Sequence, residues 1–191
     1  VAQRGRACQC RNRHRSALCG ADVAEITPFL RLFIMQRKDT VKKSVSKDGS
    51  KLKIGVVVST YYDDITGRML AGALQTLKEW GVTEKNTTVV RVSGSFEITY
   101  GVLSLLKRKK YDAIITLGCI IKGETSHDEF IAHAVAQGIV QMMVAYKTPI
   151  SFGVVTTNDL PQAVVRSTGK NNKGIESALA ALEAALLDKK K

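Results

Sequence analysis

Residues 51–191 predict an α/β fold, a three-layer α/β/α sandwich around a four-stranded, mainly parallel sheet, with a basic, disordered N-terminal extension over residues 1–50. Three observations carry this. Short valine- and isoleucine-rich runs recur at residues 54–59, 88–92, 113–119 and 149–155, and such near-continuous apolar runs suit strands covered on both faces. Apolar residues between them recur at helical spacing. Strands that alternate with helices imply right-handed crossovers, which make neighbouring strands parallel.

The elements follow in order. Residues 54–59 (IGVVVS) are the first strand. After a polar turn, Ile65, Met69, Leu70, Ala73, Leu74 and Leu77 mark one face of a helix that ends near Trp80, with Gly81 as its stop. Residues 88–92 are the second strand, and a Gly94-Ser95 opening leads into a helix over 96–106. The third strand covers 113–119, its apolar run reaching Ile121, and the third helix covers 127–145 with Phe130, Ile131, Ala134, Val135, Gly138, Ile139 and Met142 in helical period. A fourth strand at 149–155 and helices at 159–166 and 173–187 close the chain. No internal repeat is visible.

Composition narrows the function. The net charge of +12 at first suggests a nucleic-acid partner. Residues 1–50 hold 11 Lys and Arg against 4 Asp and Glu, and residues 51–191 hold 18 against 13, so the excess lies mostly outside the patterned region. The basic head lacks the interleaved aromatics that stack on single strands, which argues against nucleic acid. No apolar run approaches the ~18 residues of a membrane span; residues 26–35 are short and broken by Arg31.

Cys8, Cys10, His14 and Cys19 give a C-x-C-x3-H-x4-C spacing that departs from the usual zinc knuckle, so no metal is expected. The rest of the chain reads as a reduced, cytoplasmic-type domain. The first 21 residues are arginine-rich and free of acids, the composition of an organelle transit peptide. Met35 is the first methionine, and residues 1–34 are expected to be a presequence or an extension outside the fold; an organelle is the expected location if they are a genuine transit peptide.

Three polar loops follow three strands: Ser59-Thr60-Tyr61-Tyr62-Asp63, Ser93-Gly94-Ser95-Phe96-Glu97, and Lys122-Gly123-Glu124-Thr125-Ser126-His127. In a parallel sheet all three leave from one edge, where ligands of such folds bind. The third is built for an anion: Gly123 admits close backbone approach, Thr125 and Ser126 offer hydroxyls, and the following helix supplies unpaired N–H groups. Equally, Ser126 or Thr125 caps that helix and needs no ligand. His127, at the junction, suits general acid–base work; His133 reads as surface. Tyr61 and Phe96 either stack on a planar ring or cover the core. Glu97 suits substrate hydroxyls, or is a first-turn helix acid. Cys119 is a nucleophile only if its apolar strand leaves it reactive, which is unusual. No phosphate-binding P-loop or dinucleotide fingerprint occurs.

Together these pieces give the chain its resemblance to the lumazine synthase family. The matching stretches are IGVVVSTYYDDIT, VVRVSGSFEI, LGCIIKGETSHDEFIA, PISFGVVTTNDLPQAVVR and NKGIESALAALE, in order from Leu52 to about Asp188. The resemblance implies a flavodoxin-like fold and the condensation of a ribityl-bearing aminopyrimidine with dihydroxybutanone phosphate in riboflavin biosynthesis, with no cofactor. It places His127 on the proton-transfer histidine, Gly123, Glu124 and Thr125 on the phosphate turn, and Arg166 on the arginine that pairs with that phosphate. Tyr61 falls on the ring-stacking aromatic. Ser95, Phe96 and Glu97 fall on the segment that holds ring and ribityl chain, and Cys119, Ile120 and Ile121 on the strand end that lines the substrate site. Phe152, Lys173 and Arg166 fall on residues supplied by a neighbouring subunit.

A homo-oligomer is therefore implied: a ring of five, with twelve rings forming an icosahedral shell in some members. The short link from Ser167 to Asn172 tips the expectation toward the shell. The expected partners are small-molecule substrates and phosphate, with neither nucleic acid nor membrane. Departures from the family pattern are Ser93 and Ser126 in place of prolines, Tyr62 where asparagine is frequent, Asp128-Glu129 after the histidine, Ile175 for a tryptophan, and Asn171 near a usual glycine. The alternative to an active enzyme is a non-catalytic relative that binds flavin or lumazine or builds a shell; retention of both His127 and Arg166 favours the enzyme.

Overall fold

The computed structural model describes residues 48–108 and 110–187. The expected disorder of the extension, and the head cysteines, fall outside the described residues apart from residues 48–50. There Gly49 is buried and donates its N–H to the Trp80 carbonyl at 2.7 Å, so the chain is already packed ahead of Leu52.

Four strands form the sheet: β1 (Ile54–Ser59), β2 (Thr87–Val92), β3 (Ala113–Ile121) and β4 (Ile150–Thr157). Five α-helices connect and follow them: α1 (Asp63–Glu79), α2 (Ile98–Arg108), α3 (His127–Tyr146), α4 (Leu160–Arg166) and α5 (Lys173–Leu187). Short 3-10 turns at Glu84–Asn86 and Gly169–Asn171 complete the described order. The strand order is β2-β1-β3-β4 and every pairing is parallel, with Val58 opposite Leu117 and Ile121 opposite Thr157.

Helices cover both faces, which is why β1 and β3 read as unbroken apolar runs. On one face Ile54, Val56, Val58, Leu117, Cys119 and Val155 pack against Ile65, Met69 and Leu77 of α1, Ala163 of α4 and Leu182 of α5. On the other, Val57, Ile114, Ile150 and Val154 pack against Ile98, Val102 and Leu105 of α2 and Val135 and Ile139 of α3. Among the described residues, no helix is long and apolar enough to cross a membrane.

Helix ends follow their signals. α1 closes on Trp80 with Gly81 at φ +80°; the Gly81 N–H reaches the Lys78 carbonyl and the Val82 N–H the Leu77 carbonyl, a Schellman close in which glycine meets the left-handed requirement at no steric cost. α4 starts from Asp159, whose carboxylate accepts the Gln162 N–H at 2.8 Å. The boundaries differ from the sequence expectation at the carboxyl ends of strands. β3 and β4 each run two residues further, since Ile120 and Ile121 pair with Thr156 and Thr157, whose polarity masks a strand. α2 begins at Ile98 rather than Phe96, because Phe96 and Glu97 belong to a turn in which the Ile98 N–H bonds the Ser95 carbonyl.

α5 lies against α1 at main-chain distance. A Cβ placed on Gly174 would run into the backbone of Met69, and one placed on Gly153 into Ser177 and the Thr116 carbonyl. Backbone cannot swing aside as a side-chain tip can, and overfilling a packed site costs ~1–3 kcal/mol or more. Gly174→Ala should therefore lower unfolding free energy by at least ~2 kcal/mol in denaturant titration; an unchanged midpoint and slope would refute the close crossing.

Candidate active site

The three loops named from sequence leave from the carboxyl edge of the sheet, as parallel strands require. The first is tied down at both ends. Thr60 donates its N–H and its hydroxyl to the Val92 carbonyl at 2.9 and 3.2 Å, and the buried Thr66 hydroxyl bonds the Ser59 carbonyl at 2.7 Å. Tyr61 is held out into solvent, 74% exposed, edge-on to Tyr62 with ring centroids 5.0 Å apart. Of the two roles open to it, covering the core is thus excluded. Tyr62 takes that role, half-buried against the α1 side of the core. Burial chiefly, then the neighbouring Tyr61 and Cys119, pushes its phenol above the usual range.

The second loop anchors to β3. Ser95 is buried and its hydroxyl donates to the Cys119 carbonyl at 3.3 Å, across from Gly118, where a Cβ would lie 2.9 Å from that hydroxyl. Phe96 stands 56% exposed, so it too presents a free aromatic face. Glu97 precedes α2 rather than opening it. Its Oε2 folds over Gly94, 2.8 Å from where a Cβ would be, so Gly94 gives the carboxylate its place.

The third loop continues the central strand. Lys122 donates to the Thr157 carbonyl at 2.8 Å, and Gly123, Glu124, Thr125 and Ser126 are all exposed, with open space around Gly123. Ser126 stands at the cap position of α3, yet its side chain makes no capping bond. Thr125 makes none either among the described residues. The first-turn N–H groups of a 20-residue helix therefore lack a side-chain acceptor, the condition that favours an anion there. His127 opens α3 and is exposed; among the described residues its ring makes no hydrogen bond or ion pair. Asp128 beside it has one carboxylate oxygen buried without a partner, a charge that the helix amino end tolerates. His133 is exposed, as expected, with Nδ1 2.7 Å from the Glu129 carbonyl oxygen.

Cys119 and Ile120 are buried in the two cores and Ile121 is half-buried, so β3 offers the edge its backbone more than its side chains. Burial pushes the Cys119 thiol up to about 11, which leaves it inert as a nucleophile near neutral pH. Among the described residues, no three His, Cys, Asp or Glu side chains gather as a metal site.

Phe152 stands apart from this edge within one chain, and Arg166 and Lys173 belong to helices on the face of the sheet opposite α3. Phe152 lies opposite Thr116 in mid-strand, five residues before Thr157, which is about 16 Å at ~3.3 Å per residue. It is on the outer strand and exposed. Arg166 ends α4 and Lys173 begins α5, on the face opposite α3. Arg166 has no hydrogen bond or ion pair among the described residues. Lys173 does: its Nζ lies 2.7 and 2.9 Å from the two oxygens of Glu176. Sequence reasoning missed Glu176, although its i,i+3 spacing from Lys173 was the available signal. It also missed Arg68 and Asn172, which brace the link between Arg166 and Lys173 and leave no periodic trace.

Residues 51–189 match the family model described as 6,7-dimethyl-8-ribityllumazine synthase. Relatives bearing that same name include a Thermotoga petrophila protein, 44% identical over 143 residues, covering 74% of this chain and 87% of the relative. A Bacteroides fragilis protein is 42% identical over 133 residues, covering 69% and 93%. A Parabacteroides distasonis protein is 40% identical over 137 residues, covering 71% and 86%.

The Cys119 thiol sets a pH dependence. Unfolded, it ionises near 9.0; folded, it holds its proton until about 11. The unfolded state thus sheds a proton that the folded state keeps, so this contribution is intact below pH 9 and is lost as pH rises toward 11. Denaturation midpoints measured across that window should fall less steeply for Cys119→Ala than for the parent. Parallel curves would mean that the thiol is not desolvated.

Proposed function

The chain belongs to the 6,7-dimethyl-8-ribityllumazine synthase family, a transferase family of riboflavin biosynthesis, and we propose that it condenses 5-amino-6-ribitylaminouracil with 3,4-dihydroxy-2-butanone 4-phosphate. The product is 6,7-dimethyl-8-ribityllumazine, and inorganic phosphate is released. The observation that supports this most is the gathering, at one sheet edge, of two exposed aromatic faces, a carboxylate, an anion-ready helix start and an unengaged histidine.

Each part has a task. Tyr61 and Phe96 hold the planar pyrimidine, and Glu97 accepts hydrogen bonds from the ribityl hydroxyls. Gly123, Glu124 and Thr125 wrap the phosphate at the start of α3, where N–H groups without a side-chain cap and the helix dipole favour negative charge. Arg166 adds a charge-assisted contact. The amine attacks the ketone and an imine forms with loss of water; phosphate is then eliminated, and the second ring closes as the ribitylamino nitrogen attacks the remaining carbonyl and a second water leaves. The sequence is redox-neutral and calls for no cofactor. Juxtaposing the reactants can supply ~7–11 kcal/mol, and proton transfer by His127 a further ~10²–10⁴-fold.

Arg166, Lys173 and Phe152 reach this edge from a second copy of the chain. Helix α3 supports such an assembly: only Val135 and Ile139 of its residues are buried, while the apolar Phe130 and Val144 stand 74% and 72% exposed. Large exposed apolar patches mark interfaces. One head-to-tail contact, repeated, closes a ring; the ring proposed here has five members, and twelve rings make a shell.

Mixing the protein with both substrates should produce lumazine fluorescence. His127→Ala should lower kcat by ~10²-fold or more while both KM values change far less; unchanged turnover removes the histidine from the mechanism. Sedimentation should give a mass of five subunits or of sixty. A single-subunit mass would sink the shared site.

A further inference from the structure

We propose that Asn172 is a positioning residue that clamps the link between Arg166 and Lys173 to one turn of α1, and so sets where those two cations stand. The inference rests on the reading above, in which Arg166 meets the substrate phosphate.

Asn172 is 6% exposed and both ends of its amide are engaged. Its Oδ1 accepts the Gly174 N–H at 2.8 Å, which caps α5. Its Nδ2 donates to the Arg68 carbonyl in α1 at 3.0 Å. Gly72, one turn on, leaves the space: a Cβ there would lie 2.7 Å from Nδ2 and 3.0 Å from Cγ. The other end of the link is tied to the same residue of α1. The Arg68 Nε donates to the Ser167 hydroxyl at 3.1 Å, and that hydroxyl, 1% exposed, donates to the Val164 carbonyl at 2.9 Å. Ser167 directly follows Arg166, and Asn172 directly precedes Lys173. Arg68 therefore grips both ends, one by its side chain and one by its carbonyl.

Capping alone does not need asparagine. Serine, threonine or aspartate serves equally at that position, but none of them carries the amide donor that reaches Arg68. Asn172→Asp therefore separates the two roles: it keeps the cap acceptor and sets a carboxylate oxygen against the Arg68 carbonyl.

The test measures KM for the phosphorylated ketone, inhibition by inorganic phosphate, KM for the aminopyrimidine, and kcat. For Asn172→Asp, KM for the phosphorylated ketone and the inhibition constant for phosphate should each rise about tenfold, a fraction of the ~10²-fold that a ~1 Å misplacement can cost. KM for the aminopyrimidine and kcat should stay within about threefold. Arg68→Gln, at an exposed position, should shift the phosphate terms in the same direction and carries the test if Asn172→Asp does not fold. In an Arg166→Ala background, neither change should weaken phosphate further, because both act through that arginine. Parental phosphate affinity in the folded variants, or a further tenfold loss without Arg166, overturns the clamp. If Arg166→Ala alone leaves phosphate inhibition unchanged, the site reading itself falls, and the clamp loses its object.

Discussion

The constraint on which the site depends is the parallel register of the sheet about β3. This strand is bonded to β1 on one side and β4 on the other and is buried over eight of its nine residues. Parallel pairing obliges each connection to return through a helix before the next strand starts, so the loops that follow β1, β2 and β3 have one edge to share. Residues more than sixty positions apart are thereby brought to one place by hydrogen bonds that involve none of their side chains. Local ties then fix each loop to that frame: Thr60 to Val92, Ser95 to Cys119, Lys122 to Thr157.

Much of this was legible in the sequence, and for physical reasons. Helices on both faces bury every residue of β1, and the valine run records that burial directly. Gly81 marked a stop because a left-handed residue was needed there. What escaped was whatever periodicity does not encode. Thr156 and Thr157 extend β4 because the backbone pairs regardless of polarity, and Phe96 looks helical although its turn leaves it outside α2. Asn172 reads as one more polar residue of a link, since a hydrogen bond to a carbonyl about one hundred positions away has no local signature. His127 was found because a histidine at a strand-to-helix junction is unusual enough to stand out. Glu176 was hidden by being an ordinary charge on an ordinary helix.

His127 leads α3 on one face of the sheet while Arg166 and Lys173 sit on the other, and Phe152 is on the outer strand. Within one chain these groups belong to different surfaces. In the proposed assembly, that division gives the exposed apolar side of α3 a purpose. The same surface that would be a liability on an isolated chain would seat the neighbour of the proposed ring.

The crossing of α1 and α5 has a further consequence. Where most helices meet through side chains, Gly174 lets the backbone of α5 rest on that of Met69, with Gly72 open to the Asn172 amide one turn away. Side chains between helices can exchange rotamers, and a warmed or repacked core moves the elements that rest on them. A main-chain contact contains no such joints. The start of α5, and Lys173 with it, is therefore indexed to α1 as a machine part is indexed to a hard stop. Sequence drift in the surrounding core can alter how firmly the helices are pressed together, but has little purchase on where that lysine begins.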